Sequence, residues 1–166
     1  MARFSSVLLP FVLTAGALVA GDYDSLVGAI RKSWPHCESL AVVCDANGSK
    51  VALAALAGAT GGMKLLVVDV KGPQDMGKAI GTLTGRKPDA VILLAGDHVV
   101  GDGSNAATFL IKRMADLKVP TGATTEAGAK QGAALAIGPG TGGKLMCNAK
   151  VSAVAGVTVP AGATSI

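Results

Sequence analysis

Four loops of this 166-residue chain gather most of the side chains that could do chemistry. Cys44-Asp45-Ala46-Asn47-Gly48-Ser49 sets a thiol, a carboxylate, an amide and a hydroxyl just before an Ala/Leu-rich run. Amides at a helix start attract anions, so Asp45, Asn47 and Ser49 are candidate ligand contacts; helix capping accounts for Asn47 and Ser49 without any ligand. Cys44 beside the same helix start is a nucleophile if its pKa is lowered, and a small buried side chain otherwise. Asp97-His98, with Asp102 beyond, fits an acid/base or metal pair, or a hydrogen-bonded loop. Asp97 and His98 are candidate ligand contacts, as are Thr124, Thr125 and Glu126 of a third loop. The fourth, Gly138-Pro139-Gly140-Thr141-Gly142-Gly143-Lys144, has the GxxxxGK spacing whose glycine amides can cradle phosphate. Leu145 stands where such a loop needs a Mg²⁺-binding Ser or Thr, so a structural turn is the plainer reading and nucleotide binding the lesser one. His36, between Pro35 and Cys37, reads as structural.

The elements that must hold these loops alternate strand and helix with short turns, as βαβ units do. A helix capped by Asp22 or Asp24 runs to Trp34 and is stopped by Pro35. Leu40–Cys44 is a continuous apolar strand, as expected when both faces are covered. A helix from Lys50 to about Thr60 follows, then a strand over Lys64–Val70. A helix opened by Gly72-Pro73-Gln74-Asp75 runs to about Leu83 and closes at Gly85. Ala90–Ala95 is the most hydrophobic strand. Ser104 or Asn105 caps a helix through Leu117 whose helical spacing buries Phe109, Leu110, Met114 and Leu117. Pro120–Thr124 and Ala133–Ile137 read as strands, with one helical turn over Ala127–Gln131 between them. Residues 144–154 are open between helix and strand, and Val157–Val159 looks extended. Val7–Thr14 is read as a first strand with Pro10 at an edge or bulge; the alternative for residues 1–20 is the leader of an exported protein. The compartment stays undetermined on these grounds, and no stretch has the length of a membrane span.

The fold expected is therefore one α/β domain over residues 1–166: three layers, a mostly parallel sheet with helices on both faces. Right-handed crossovers place the helices, and ligands in such sheets sit outside the strand carboxyl ends. That brings Asp45, Asn47 and Ser49, Asp69 and Lys71, Asp97 and His98, Thr124 to Glu126, and Gly138 to Thr141 to one rim.

Bulk properties narrow the classes further. The chain is 50% hydrophobic but 16% charged and 3% aromatic, against roughly a quarter charged in an ordinary domain. A surface so neutral is best explained by being covered, which points to a homo-oligomer; an Ala/Gly-rich monomer is the plainer alternative. The net charge of +4 is spread without runs or interleaved aromatics, so nucleic acid is not an expected partner. Cys37, Cys44 and Cys147 make no CxxC and no His/Cys cluster. Cys37 and Cys44 bracket a strand and so lie roughly 20 Å apart, too far for a disulfide. No catalytic residue, metal or cofactor is assigned.

The order of these pieces resembles the carboxyl-terminal lobe of the ABC-transporter substrate-binding proteins with the type I periplasmic-binding fold. The matching run starts at Ser33-Trp34-Pro35 and the strand and loop LAVVCDANGSK. It continues through Pro88-Asp89-Ala90-Val91, Lys118-Val119-Pro120-Thr121 and Gly128-Ala129-Lys130-Gln131-Gly132-Ala133, to Val159-Pro160. The resemblance implies a non-enzymatic lobe that binds a small molecule through the rim. It departs from the family in having room for one lobe, no lipobox cysteine near its start, and almost no rim aromatics. A purely structural, self-assembling subunit with a vestigial pocket is the second reading.

Overall fold

A computed structural model describes residues 20–166. Val7–Thr14, read as a first strand or part of a leader, lies outside them. The first described element is a helix, α1 (Ala20–Ser33), which ends two residues before Pro35. Ala20 and Gly21 are already helical, so Asp22 and Asp24 lie inside the helix and neither is its cap. There follow β1 (Ser39–Cys44), α2 (Lys50–Ala59), β2 (Lys64–Asp69), a 3₁₀ turn (Pro73–Asp75) and α3 (Met76–Arg86). Then come β3 (Ala90–Ile92), α4 (Asn105–Asp116), β4 (Thr121–Thr125), α5 (Glu126–Lys130) and β5 (Leu135–Gly140). The tail contains both alternatives left open by its sequence: a short strand β6 (Met146–Cys147), then a helix α6 (Ala149–Val154). Val157–Val159 pairs with no strand among the described residues; the last strand, β7, is Thr164–Ser165.

The seven strands form one sheet in the order β2-β1-β3-β4-β5-β6-β7. β1 to β5 are parallel, β6 runs antiparallel to β5, and β7 is parallel to β6. The α/β class and the mostly parallel sheet are thus as expected. β1 shows why its sequence carries no polar alternation. Leu40, Val42 and Cys44 face one apolar cluster with Leu26, Ile30 and Leu56 of α1 and α2. Ala41 and Val43 face the other, with Met76, Ile80, Leu83, Leu110 and Met114 of α3 and α4. A strand covered on both sides must be apolar at every position.

Helix ends differ from expectation where backbone geometry overrides residue preference. α3 runs through Gly85 and closes instead at Lys87, which takes a left-handed conformation with φ 49°. α4 has the expected cap: Ser104 Oγ accepts from Ala107 N at 3.0 Å. Its buried face is the expected one at Leu110 and Met114 but not at Phe109 and Leu117. Ala107, Leu110, Ile111 and Met114 are buried, while Phe109 and Leu117 are 45% and 41% exposed. Phe109 instead lines a groove of about 340 Å³ with Pro73, Met76 and Asn105. Residues 107, 111 and 114 share a stripe, and Phe109 lies off it by helical geometry.

Candidate functional site

β1 leads through α2 to β2 on one side of it, and β3 lies on its other side. The chain therefore leaves the carboxyl ends of β1 and β3 in opposite directions, which opens the crevice where ligands bind in sheets of this kind. Asp97, 6% exposed, closes the floor of that crevice. Its Oδ2 accepts from Asp45 N at 2.9 Å and from Ser49 Oγ at 2.6 Å. Its Oδ1 accepts from Val99 N and Val100 N at 2.9 and 2.7 Å. One carboxylate thus joins the loop after β1 to the loop after β3 and folds the latter on itself. Ser49 sits at the N-cap just before α2 but makes no side-chain cap there; its hydroxyl is committed to Asp97.

Asp45 shapes its own loop and reaches the next. Its Oδ1 accepts from Asn47 N at 3.3 Å and its Oδ2 from Gly48 N at 3.1 Å. Lys71 Nζ donates to Asp45 Oδ1 at 2.6 Å and to Asp69 Oδ1 at 2.9 Å, and Ala46 N donates to Asp69 Oδ1 at 2.9 Å. The Lys71 hydrogen bond, first, holds both carboxyls below the usual range; loop amides add to it. The two carboxylates in turn raise the Lys71 ammonium. His98 Nε2 lies 3.6 Å from Asp45 Oδ2. The imidazole leans over Gly48, where a Cβ would sit 3.3 Å from the ring and 2.8 Å from Asp45 Oδ2. Only glycine leaves that space. What faces outward is the Lys71 ammonium, the Asp69 carboxylate and the His98 ring, with side chains 52%, 50% and 62% exposed, and the exposed Asn47. Asp69 and Lys71 belonged to the expected rim but not to the expected contacts. Their i, i+2 spacing at a strand end, which sends both side chains to one face, is the signal that could have found them.

Cys44, buried between these loops, is pushed up to about 12 by burial, with Asp97, Asp69 and Asp45 adding to it. Its thiol stays protonated at neutral pH, opposite to what a thiolate nucleophile needs.

The other expected contacts form a separate group. Thr125 Oγ1 accepts from Gly128 N at 3.2 Å, capping α5, and donates to Asp102 Oδ2 at 2.7 Å. Burial raises the Asp102 carboxyl, against the Thr125 hydroxyl bond and the amides of Thr124 and Thr125. Thr124 is buried, and its hydroxyl has no hydrogen-bond partner among the described residues. Glu126 is exposed and pairs with Lys130 at 2.6 Å along α5. Gln131 ties this group to the loop after β3. Its Oε1 accepts from Gly103 N at 2.8 Å, and its Nε2 donates to Ser104 O and Thr108 Oγ1.

The Gly138–Lys144 loop turns its amides inward. Gly138 N donates to Thr141 Oγ1, Thr141 N and Gly143 N to Gly138 O, and Gly142 N to Pro139 O. It also leads into a strand, β6, rather than a helix. Amides already bonded to their own loop are not an open phosphate cradle. Among the described residues no group of three or more His, Cys, Asp or Glu could hold a metal, and no helix is long and apolar enough to cross a membrane.

No protein-family model matches the chain, and no curated protein matches it. Solved structures do. The ABC domain from Streptococcus pneumoniae in complex with L-Trp superposes with a TM-score of 0.72 at 15% identity, covering 87% of this chain and 62% of that one. A conserved domain protein from Vibrio cholerae superposes with a TM-score of 0.70 at 20% identity, covering 86% and 59%. The chain thus spans about three fifths of the length of each. At these identities the likeness establishes the fold.

Proposed function

We propose that this chain is a non-enzymatic binding lobe that takes a small polar molecule at the crevice between β1 and β3. One observation carries the reading. Asp97, Asp45 and Lys71 stitch three loops into one floor at the switch point, and that floor presents the Lys71 ammonium, its partner Asp69 carboxylate and the His98 imidazole to whatever enters. A floor set before binding avoids the cost of ordering loops at the moment of binding. The ligand class is an amino acid or another small molecule with an anionic group, which Lys71 and His98 would meet. The L-Trp bound to the Streptococcus pneumoniae neighbour supports that size and chemistry. Relation to an ABC transporter belongs to the same proposal and rests on the resemblance of the loops and the shared fold.

Calorimetry with amino acids, nucleobases, nucleotides and phosphate tests it. A ligand is expected whose affinity drops about tenfold, or roughly 1.4 kcal/mol, in Lys71→Ala. Binding of none of these, or a ligand indifferent to Lys71 and His98, would overturn the reading. A self-assembling subunit is the second reading. Val51, Val67 and Phe109 favour it, since they stand 71%, 41% and 45% exposed.

A further inference from the structure

The two edges of the sheet differ in character. β7, at one edge, is the polar pair Thr164 and Ser165. β2, at the other, is six residues long, Lys64-Leu65-Leu66-Val67-Val68-Asp69, and no strand among the described residues pairs with its outer side. An apolar run without polar alternation is the pattern of a strand covered on both faces, yet Val68 is the one residue of β2 that is buried. Sheet edges are normally blunted by shortness, a proline, a bulge or an inward charge. Between Lys64 and Asp69 this strand has no such device, and its register with β1 is unbroken.

The backbone groups on the open side follow from those on the paired side. Lys64 N donates to Glu38 O at 2.9 Å and Val70 N to Cys44 O at 3.0 Å, so the even-numbered residues turn their amides and carbonyls to β1. Leu65, Val67 and Asp69 turn theirs outward, because these groups alternate along a strand. Val67, 41% exposed, pairs in register with Val42, on the face that Leu56 of α2 helps to cover. α2 itself has no charged or polar side chain after Lys50, the composition of a helix covered all round. Its Val51, Ala54, Ala57 and Gly58 are nonetheless exposed.

We propose that β2 is the interface of a two-fold dimer, pairing antiparallel with β2 of a second copy of this chain so that the sheet continues across the axis. Residues whose amides face the gap must pair with one another, and an axis through Val67 satisfies this over the whole strand. Val67 then lies opposite Val67 of the second copy, Leu65 opposite Asp69, Leu66 opposite Val68 and Lys64 opposite Val70. No like charges meet across the join. The axis stands perpendicular to the sheet, so the two α2 helices come to the same side of it. A lone strand from another protein would fill the hydrogen bonds but leave the α2 face bare; a second copy supplies both a strand and an apolar helix. The proposal rests on the self-assembling reading, to which it gives a surface and a geometry, and does not depend on binding at the crevice.

Light scattering on a size-exclusion column, with circular dichroism as the check on folding, tests it on the full chain. The parent is expected at twice the chain mass. Val67→Lys and Val67→Asp each set like charges against each other on the axis, and each alone is expected at the chain mass with the parent's spectrum. An equimolar mixture of the two variants is expected to return to twice the chain mass, because a lysine then faces an aspartate; misfolding of either variant cannot give that recovery. A parent at the chain mass would overturn the proposal and the self-assembling reading together. A single variant that keeps the parent's mass, or a mixture that stays at the chain mass, would overturn the β2 pairing alone.

Discussion

The Asp97 carboxylate accepts four hydrogen bonds and reaches two loops, so removing it strips partners from three backbone amides and a hydroxyl at once. Hydrogen bonds to a charged group are worth about 1.5–3 kcal/mol each, and losses within one network do not add. Asp97→Ala is therefore expected to cost about 3 kcal/mol in urea denaturation. The same variant should weaken binding at the crevice, because its floor comes apart. Asp102 works with the opposite sign. Its pKa is raised by burial, so its stabilising contribution is full below the unfolded carboxyl value, near 4, and is lost as pH rises through the folded one. Asp102→Asn keeps the shape without the charge. It is expected to be more stable than the parent at pH 7, with the advantage shrinking towards pH 4; denaturation midpoints at the two pH values measure this. Asp45 and Asp69, held down first by Lys71, contribute fully at neutral pH and lose that contribution as pH falls through their lowered values.

Among the elements, α4 shows how far a periodic pattern can be trusted. Phe109 and Leu110 are consecutive apolar residues, and only one can sit on the central stripe. Leu110 is fully buried, whereas Phe109 is nearly half exposed. Leu110→Ala should cost about 3 kcal/mol by transfer and cavity terms, and Phe109→Ala under about 1 kcal/mol. Equal losses in paired denaturation curves would contradict the packing described. The closures of α3 and α4 make a related point. Lys87 and Lys118 both take positive φ where glycine is the usual choice. In each case the chain must reverse just before a proline turn feeding β3 or β4, and the position of the next strand decides the conformation.

For the whole molecule, low charge density becomes a question of what covers Val51, Val67 and Phe109. Self-association is expected: light scattering on a size-exclusion column should give a mass that is a multiple of the chain's, and a clean monomer at high concentration would remove that expectation. Much of the architecture was legible beforehand. Runs such as LAVVC and AVILLA, each followed by a Gly- or Asp-rich bend and an Ala-rich helix, dictate parallel strands covered on both faces, because burial on both sides forbids polar alternation. That in turn fixed which loops share a rim. The sequence by itself could not say which rim residues present themselves to a ligand and which hold the rim together. All four of Asp97, Ser49, Lys71 and His98 are polar residues of the same rim, but the folded loops bury Asp97 and Ser49 against each other and leave Lys71 and His98 exposed. Residues up to 52 positions apart decide that outcome. Hydrogen-bond partners at such separations exist only once the sheet has set its order.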